Sequence, residues 1–328
     1  MVMIALGIES TAHTLGVGIV NKKGKILANV RELFTTVEGG MVPSDVGEHH
    51  TQVIDKVIKE ALDEAGVSLS DISLISFSQS PGLGHCLRVG AFTARVLAKK
   101  LNIPIVGVNH CIAHLEIGNL QTGAKDPVML YASGANTQII AYEGGKYRIF
   151  GETLDMGVGN FLDSFARELG LGFPGGPKVY ELALQGKEFI DIPYYVKGMD
   201  MNFGGILTNI KQKYAKGYSK DDLCYSVQET VFAMLIEVSE RALAHTGKKE
   251  LLFGGGVGCN KRLQEMAKIM CEERGAKLYV PDNSVMVDNG AMIAWQGILE
   301  YKSNGGINVK DAVIKPYLRT DDIDVSWR

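Results

Sequence analysis

The chain has 328 residues, 46% of them hydrophobic and 22% charged, with a formal net charge of −3. That length is too great for one simple core and suits two globular domains. The slightly acidic balance excludes nucleic-acid binding by bulk charge alone and leaves room for a local basic patch or a basic partner subunit.

Residues 4–8 read as a strand, followed by the turn Glu9-Ser10-Thr11-Ala12-His13-Thr14. A second strand runs to Val20, and a third starts at Lys25 after a Lys-Lys-Gly turn. An amphipathic helix over residues 48–65 carries Val53, Ile54, Val57, Ile58, Ala61, Leu62 and Ala65 on one face, with Gly66 as its stop. A strand over 74–77 runs into Pro81-Gly82-Leu83-Gly84 and a helix. A short strand over 105–108 feeds a helix near Asn109-His110.

The same order then recurs. A strand over 128–132 meets the turn Ser133-Gly134-Ala135-Asn136-Thr137, a strand reaches Tyr142, and another runs over 146–150. A helix near 226–245, a strand over 251–253, the turn Gly254-Gly255-Gly256-Val257-Gly258, a strand over 277–280 and a helix near Asp288-Asn289-Gly290 complete the repeat. Each half reads β-β-β-α-β-α-β-α, the recipe for a mixed sheet covered by helices. The expected division is residues 1–125 and 126–328. The second half carries an insertion over 151–223, with a helix over 161–168 and Phe173-Pro174-Gly175-Gly176-Pro177, and ends in a tail over 314–328. An insertion of that length beside a cleft is usually functional.

The five cysteines, Cys86, Cys111, Cys224, Cys259 and Cys271, are odd in number, widely spaced and without CxxC. This is reduced, cytoplasmic usage. No apolar run reaches the roughly 20 residues that span a bilayer, so no membrane partner is expected. The apolar opening over residues 1–6 lacks the basic leader and cleavage site of a signal peptide.

Three hydroxyl- or glycine-rich turns, over residues 9–14, 133–137 and 254–260, fall at equivalent strand ends of the two halves. Such turns expose backbone N–H groups that cradle phosphate, and their repetition favours a nucleotide ligand over ordinary turns. No GxxxxGK[ST] is present. The single GxGxxG match (Gly170, Gly172, Gly175) contains Pro174 and follows a helix, so it is set aside.

His110 and His114 stand at i and i+4, on one face of a helix, the spacing one metal ion needs. Asp288 opens the equivalent helix of the other half, so twofold symmetry points it across the cleft at them. Asp288 also reads as an ordinary N-cap. Tyr131, beside Ser133, ends a strand facing the same point. Two histidines, an aspartate and a phenolate suit iron or zinc and not calcium. A zinc protease is argued against: there is no HExxH, and Cys111 stands in place of the general-base glutamate. His49 and His50 are adjacent and point apart, which favours a structural role. Lys211, Lys213, Tyr214, Lys216, Tyr218 and Lys220 form a basic stretch with aromatics, suited either to nucleic-acid phosphates or to a solvated surface.

Gly7-Ile8-Glu9-Ser10-Thr11-Ala12-His13-Thr14, Pro81-Gly82-Leu83-Gly84, Val108-Asn109-His110-Cys111-Ile112-Ala113-His114, residues 131–138, residues 173–178 and Asp288-Asn289-Gly290-Ala291-Met292 together resemble one family along nearly the whole chain. It is the archaeal and eukaryotic tRNA N6-adenosine threonylcarbamoyltransferase family, catalytic subunit of the KEOPS complex, once described as O-sialoglycoprotein endopeptidase. The resemblance implies an α/β fold of the actin-like, sugar-kinase-like ATPase superfold: two ribonuclease-H-type halves with mixed sheets around a central cleft. It implies transfer of a threonylcarbamoyl group from threonylcarbamoyl-AMP to N6 of the adenosine beside the anticodon, in tRNAs reading codons that begin with A.

By motif match, His110, His114, Tyr131 and Asp288 would hold one iron or zinc ion. Tyr131, Ala132, Ser133, Gly134, Ala135, Asp163, Gly176, Tyr180 and Asn260 would line the site of an adenine nucleotide: threonylcarbamoyl-AMP, ATP or AMP. The implied partners are a small atypical protein kinase subunit, a small dimerising subunit and the tRNA. This chain departs from the family pattern at several points. Ala135 replaces a glycine, Tyr180 a glutamate and His85 a proline, and Asn202-Phe203-Gly204-Gly205 stands for Ser-Phe-Ser-Gly. If position 135 required φ > 0, alanine would strain it. Two other readings share the superfold: an ATP-dependent small-molecule kinase, which has no need of the histidine pair since Mg²⁺ prefers oxygen, and a nucleotide-switched non-catalytic scaffold.

Overall fold

A computed structural model describes residues 3–36 and 41–328. The first half runs β1 (Ile4–Glu9), β2 (Thr14–Asn21), β3 (Ile26–Leu33), α1 (Pro43–Ala65), β4 (Leu74–Ser80), α2 (Gly84–Leu101), β5 (Ile105–Asn109) and α3 (His110–Thr122). The second begins with β6 (Val128–Ala132), β7 (Thr137–Glu143) and β8 (Lys146–Glu152). The insertion follows, with α4 (Val158–Glu168), α5 (Gly175–Ala183), the ribbon β9 (Val196–Lys197) and β10 (Asp200–Met201), and α6 (Gly204–Ala215). Then come α7 (Lys220–Thr246), β11 (Glu250–Gly254), α8 (Lys261–Glu273), β12 (Lys277–Tyr279), the single turn α9 (Asn283–Met286) and α10 (Gly290–Asn304).

The two five-stranded sheets have matching orders, β3-β2-β1-β4-β5 and β8-β7-β6-β11-β12. In each, the opening strand pairs antiparallel with the second strand and parallel with the first crossover strand. Element ends differ from the sequence reading most at two helix starts. Helix α1 starts at Pro43 instead of residue 48, because proline suits the first turn, where its missing N–H is not needed. Helix α7 starts at Lys220 instead of 226, since Ser219 caps it by accepting from Asp222 N at 3.1 Å.

The last helix of the second half crosses to the first sheet, and the last helix of the first half lies between the two sheets, against β4 and β5 as well as β11. Helix α10 lies against β1 and β2, and α3 lies against β11. Glycines allow the first contact at backbone range. A Cβ on Gly7 would lie 2.2 Å from Ala294 N, one on Gly18 2.0 Å from Ala291 N, and one on Gly290 2.1 Å from Gly18 N. Every residue from His110 to Gly118 is buried, so α3 is enclosed on all sides. This exchange brings the N-termini of α3 and α10 side by side. The tail then straps the surface. Lys315 N donates to Gln79 O at 2.9 Å, Arg319 pairs with Glu152 at 3.0 Å and Lys146 with Asp324 at 2.9 Å.

Candidate metal and nucleotide site

Asn109 and Asn289 cap the two exchanged helices. Asn109 Oδ1 accepts from Cys111 N at 3.0 Å and Ile112 N at 3.2 Å, and Asn289 Oδ1 accepts from Met292 N at 3.0 Å. Of the two roles read for Asp288, the N-cap is corrected here, since Asn289 takes it. With Asn289 filling that role, the Asp288 carboxylate is released toward the histidines. His110 takes the first position of α3 and His114 follows one turn on, so both rings face the start of α10.

Four donor atoms converge. His110 Nε2 lies 3.3 Å and His114 Nε2 3.2 Å from Asp288 Oδ1, and His110 Nε2 lies 3.0 Å from Tyr131 Oη. Four ligands about 2.0–2.1 Å from a tetrahedral ion stand roughly 3.3 Å apart, so this spacing fits one ion. Glu9, fully buried at the end of β1, takes the far side of the first ring: His110 Nδ1 lies 2.8 Å from Glu9 Oε2. Glu9 Oε1 accepts from Thr11 N and Thr11 Oγ1, both at 2.6 Å. This is the residue that the sequence reading missed as a site member.

Charge balance points the same way. Burial opposes protonation of His110, but the Glu9 and Asp288 carboxylates outweigh it and hold the imidazole well above the usual histidine range. Burial pushes His114 down, against the pull of Asp288. Burial would raise Asp288, yet His110 drives it well below the usual carboxylate range. Burial raises the Tyr131 phenol. Two carboxylates thus favour positive charge at His110 in a closed site, and a metal ion taking the place of the ring proton would supply it. His114 Nδ1, a buried ring atom, has no hydrogen-bond partner among the described residues, so the ring is held through its Nε2 side. The donor set and its spacing therefore fit iron or zinc.

Tyr131 sits at the end of β6, and the turn that follows is the expected nucleotide cradle. Ser133 N donates to Asn136 O at 2.9 Å, closing the turn, and Gly159 N and Asn160 N of α4 donate to Ser133 O and Gly134 O at 3.0 and 2.9 Å. Among the described residues no acceptor takes the Gly134 and Ala135 N–H groups. Ala135 has no positive φ, so replacing the family's glycine costs no backbone strain here. The tight approach falls instead on Gly157, where a Cβ would lie 2.4 Å from Gly134 O. Gly255 (φ 86) brings the third turn against β6, since a Cβ there would lie 2.4 Å from Ala132 O.

Asp163 accepts from Gly175 N at 2.7 Å at the start of α5, beside Gly176. Burial raises its carboxyl above the usual range. Tyr180 lines an open cavity of ≈ 360 Å³ together with Gln228, Glu229, Lys261 and Arg262. Asn260 caps α8, accepting from Arg262 N at 2.8 Å, and its Nδ2 donates to Gln228 Oε1 at 3.2 Å. Its side chain is therefore already committed on both ends.

The remaining motifs find local partners. The Asp155 carboxylate accepts from Phe203 N at 3.0 Å and Gly204 N at 2.6 Å, supplying the acceptors that hydroxyls would otherwise provide at the start of α6. In the basic stretch, Lys211 pairs with Glu168 at 2.8 Å, Lys220 donates to Leu169 O at 2.7 Å, and Lys213 lies over the Tyr218 ring. His85 abuts Gly47 between α1 and α2. His50 Nε2 meets Ala12 O at 2.9 Å, and His13 meets the Phe173 ring edge-on at 5.9 Å. No helix among the described residues is long and apolar enough to cross a membrane.

A model of the tRNA N6-adenosine threonylcarbamoyltransferase family matches residues 25–295. The chain is 56% identical over 326 residues to the tRNA N6-adenosine threonylcarbamoyltransferase of Thermococcus kodakarensis, covering 99% of this chain and 100% of that protein. It is 52% identical over 325 residues to a probable bifunctional tRNA threonylcarbamoyladenosine biosynthesis protein of Methanothermobacter thermautotrophicus, covering 99% of this chain and 61% of that protein. Among solved structures, full-length HypF in a phosphate- and nucleotide-bound form aligns with TM-score 0.63 and 11% identity, over 93% of this chain and 56% of that one. That likeness speaks to fold alone, and it bears out the expected superfold with its paired mixed sheets.

Proposed function

The chain belongs to the tRNA N6-adenosine threonylcarbamoyltransferase family, and from that premise we propose that it transfers a threonylcarbamoyl group from threonylcarbamoyl-AMP to N6 of the adenosine beside the anticodon, in tRNAs reading codons that begin with A. We place it in the cytoplasm, as catalytic subunit of a KEOPS-type complex with a small atypical kinase subunit and a small dimerising subunit. The observation that carries the proposal is the meeting of the His110, His114, Tyr131 and Asp288 donor atoms at the head of the Ser133–Ala135 turn.

In the reaction the N6 amine attacks the carbamoyl carbon, the bond from that carbon to the phosphate oxygen breaks, AMP departs, and the amine gives up one proton. The unpaired N–H groups of Gly134 and Ala135 suit the acyl-adenylate phosphate. Tyr131 joins the two parts of the site, since it carries one donor and its strand leads into the turn. Glu9 holds His110 by Nδ1, leaving Nε2 toward the other donors. When bound, iron or zinc would supply a Lewis-acidic charge near the acyl-adenylate oxygens. AMP is a good leaving group, so positioning of the amine contributes most to rate.

A net charge of −3 and the internal pairing of Lys211 and Lys220 support a tRNA held largely by partner subunits. The histidines speak against a kinase reading, because Mg²⁺ is bound through oxygen. The test is a reconstituted system lacking only this subunit, supplied with ATP, bicarbonate, labelled threonine and unmodified tRNA. Label is expected in threonylcarbamoyladenosine and is expected to vanish with His110→Ala. Accumulating adenylate without labelled nucleoside would overturn the proposal.

A further inference from the structure

Helix α3 carries a third inward residue, Glu116, that the donor centre does not use. It is 7% exposed. Its Oε1 accepts from the phenolic O–H of Tyr147 and from Trp327 Nε1–H at 2.9 Å, with Arg328 Nε at 3.6 Å. Tyr147 is wholly buried on β8, and Trp327 comes from the tail. Three segments far apart in sequence thus meet on one carboxylate. Behind it lies an apolar cluster that joins the α3 residues Cys111, Ile112 and Leu115 to Tyr131, with Trp327 packed against it.

Packing alone explains why α3 adheres to the second sheet, but not why a carboxylate is buried there. A hydrophobic residue of similar volume would serve adhesion at less cost. Directional hydrogen bonds to two separate elements add something packing lacks: they fix the rotation of the helix about its axis. A rotation of about 10° moves a histidine tip by roughly 1 Å, given the helix radius, whereas metal–ligand distances tolerate only about 0.2 Å.

We infer that Tyr147, Glu116 and Trp327 form a clasp that fixes the rotation of α3, so that docking of the tail governs how tightly the His110–His114–Asp288–Tyr131 centre holds its metal. Glu116 and Trp327 are positioning residues in this reading, which rests on that centre being a metal site.

Zinc is the probe, in chelator competition against the full chain well below its unfolding temperature. Trp327→Phe keeps an aromatic ring and removes the N–H donor; Glu116→Leu keeps the bulk and removes both acceptor oxygens. Both are expected to lose about tenfold in zinc affinity, the scale of effects from outer-shell partners. Ile54→Val, a core change in the first half remote from the clasp, controls for loss of stability and is expected to bind zinc like the parent. Parent-like affinity in both clasp variants, with only a lowered unfolding midpoint, would make the clasp ordinary packing and overturn the inference. Zinc binding by the parent no tighter than by His114→Ala would overturn the centre itself, and the clasp with it. If Glu116→Leu does not fold, Trp327→Phe decides alone.

Discussion

Glu9 is the side chain whose removal separates metal holding from fold. Its carboxylate accepts from Thr11 N, Thr11 Oγ1 and His110 Nδ1, and outer-shell partners of this kind are worth roughly 10–100-fold in metal affinity. Glu9→Gln is expected to weaken zinc binding by that range in chelator competition while the protein stays folded. Parent-like affinity would mean that another group orients the ring. The spacing of His110 and His114 was legible because a helix repeats locally, and Asp288 was legible through the internal repeat. Glu9 was not, because its partner lies 101 positions away and no periodicity spans that gap. A second residue, His50, makes a prediction about pH. Burial, opposed by the Ala12 carbonyl, brings its pKa down to about 4, with His49 and His13 also disfavouring charge. Above the unfolded value of about 6.5 the ring is neutral in both states and its contribution is complete. As pH falls toward 4 only the unfolded chain takes the proton, so stability is lost across that window, by about 3 kcal/mol at most. His50→Gln keeps an N–H for Ala12 O and is expected to flatten this loss. Urea midpoints at about pH 7.5 and about pH 4.5 check it, and an equal drop in parent and variant would assign the loss to other groups.

At the level of elements, the glycines of β1 and β2 do what strands normally avoid. Glycine weakens a strand, yet Gly7, Gly16 and Gly18 all face α10, where a Cβ would lie within 2.9 Å of helix backbone. Backbone cannot yield as a side-chain tip can, so Gly18→Ala must lift the helix from the sheet. The expected cost is about 3 kcal/mol, seen as a lowered urea midpoint. Zinc affinity should fall with it, because α10 carries Asp288 at its head. A variant of unchanged stability would show that α10 is held elsewhere. The chain order of strands and helices was legible from period and repeat. The use of these glycines was not: a glycine-rich stretch reads as a turn, as it is at Gly255 (φ 86), whereas Gly18 lies inside a strand. The caps were half legible. Asp288 and Asn289 both have cap chemistry, and only the helix start decides that Asn289 takes the role.

Across the whole molecule, the exchanged helices decide how the protein unfolds. One apolar cluster joins Ala5, Val20 and Leu74 of the first sheet and Ala113 and Ile117 of α3 to Met292, Ile293 and Ile298 of α10. The opposite face of α3 belongs to a cluster with Met129, Ile140 and Leu252 of the second sheet. Each half also has a core cluster of its own, so the exchanged helices join two cores across the division at residue 125. Residues 1–125 expressed alone would expose the glycine-lined face of β1 and β2 as well as the second face of α3, apolar surface that favours association. That fragment is expected to show no cooperative transition. The full chain is expected to unfold in one step, with equal calorimetric and van't Hoff enthalpies. Two resolved transitions, or a fragment that folds by itself, would show that each half carries its own stability. The metal centre would then lie at a docking surface between two independently stable bodies. A single transition ties the donor centre to global stability, because His110 and His114 on one exchanged helix and Asp288 at the head of the other come together only when both sheets are formed.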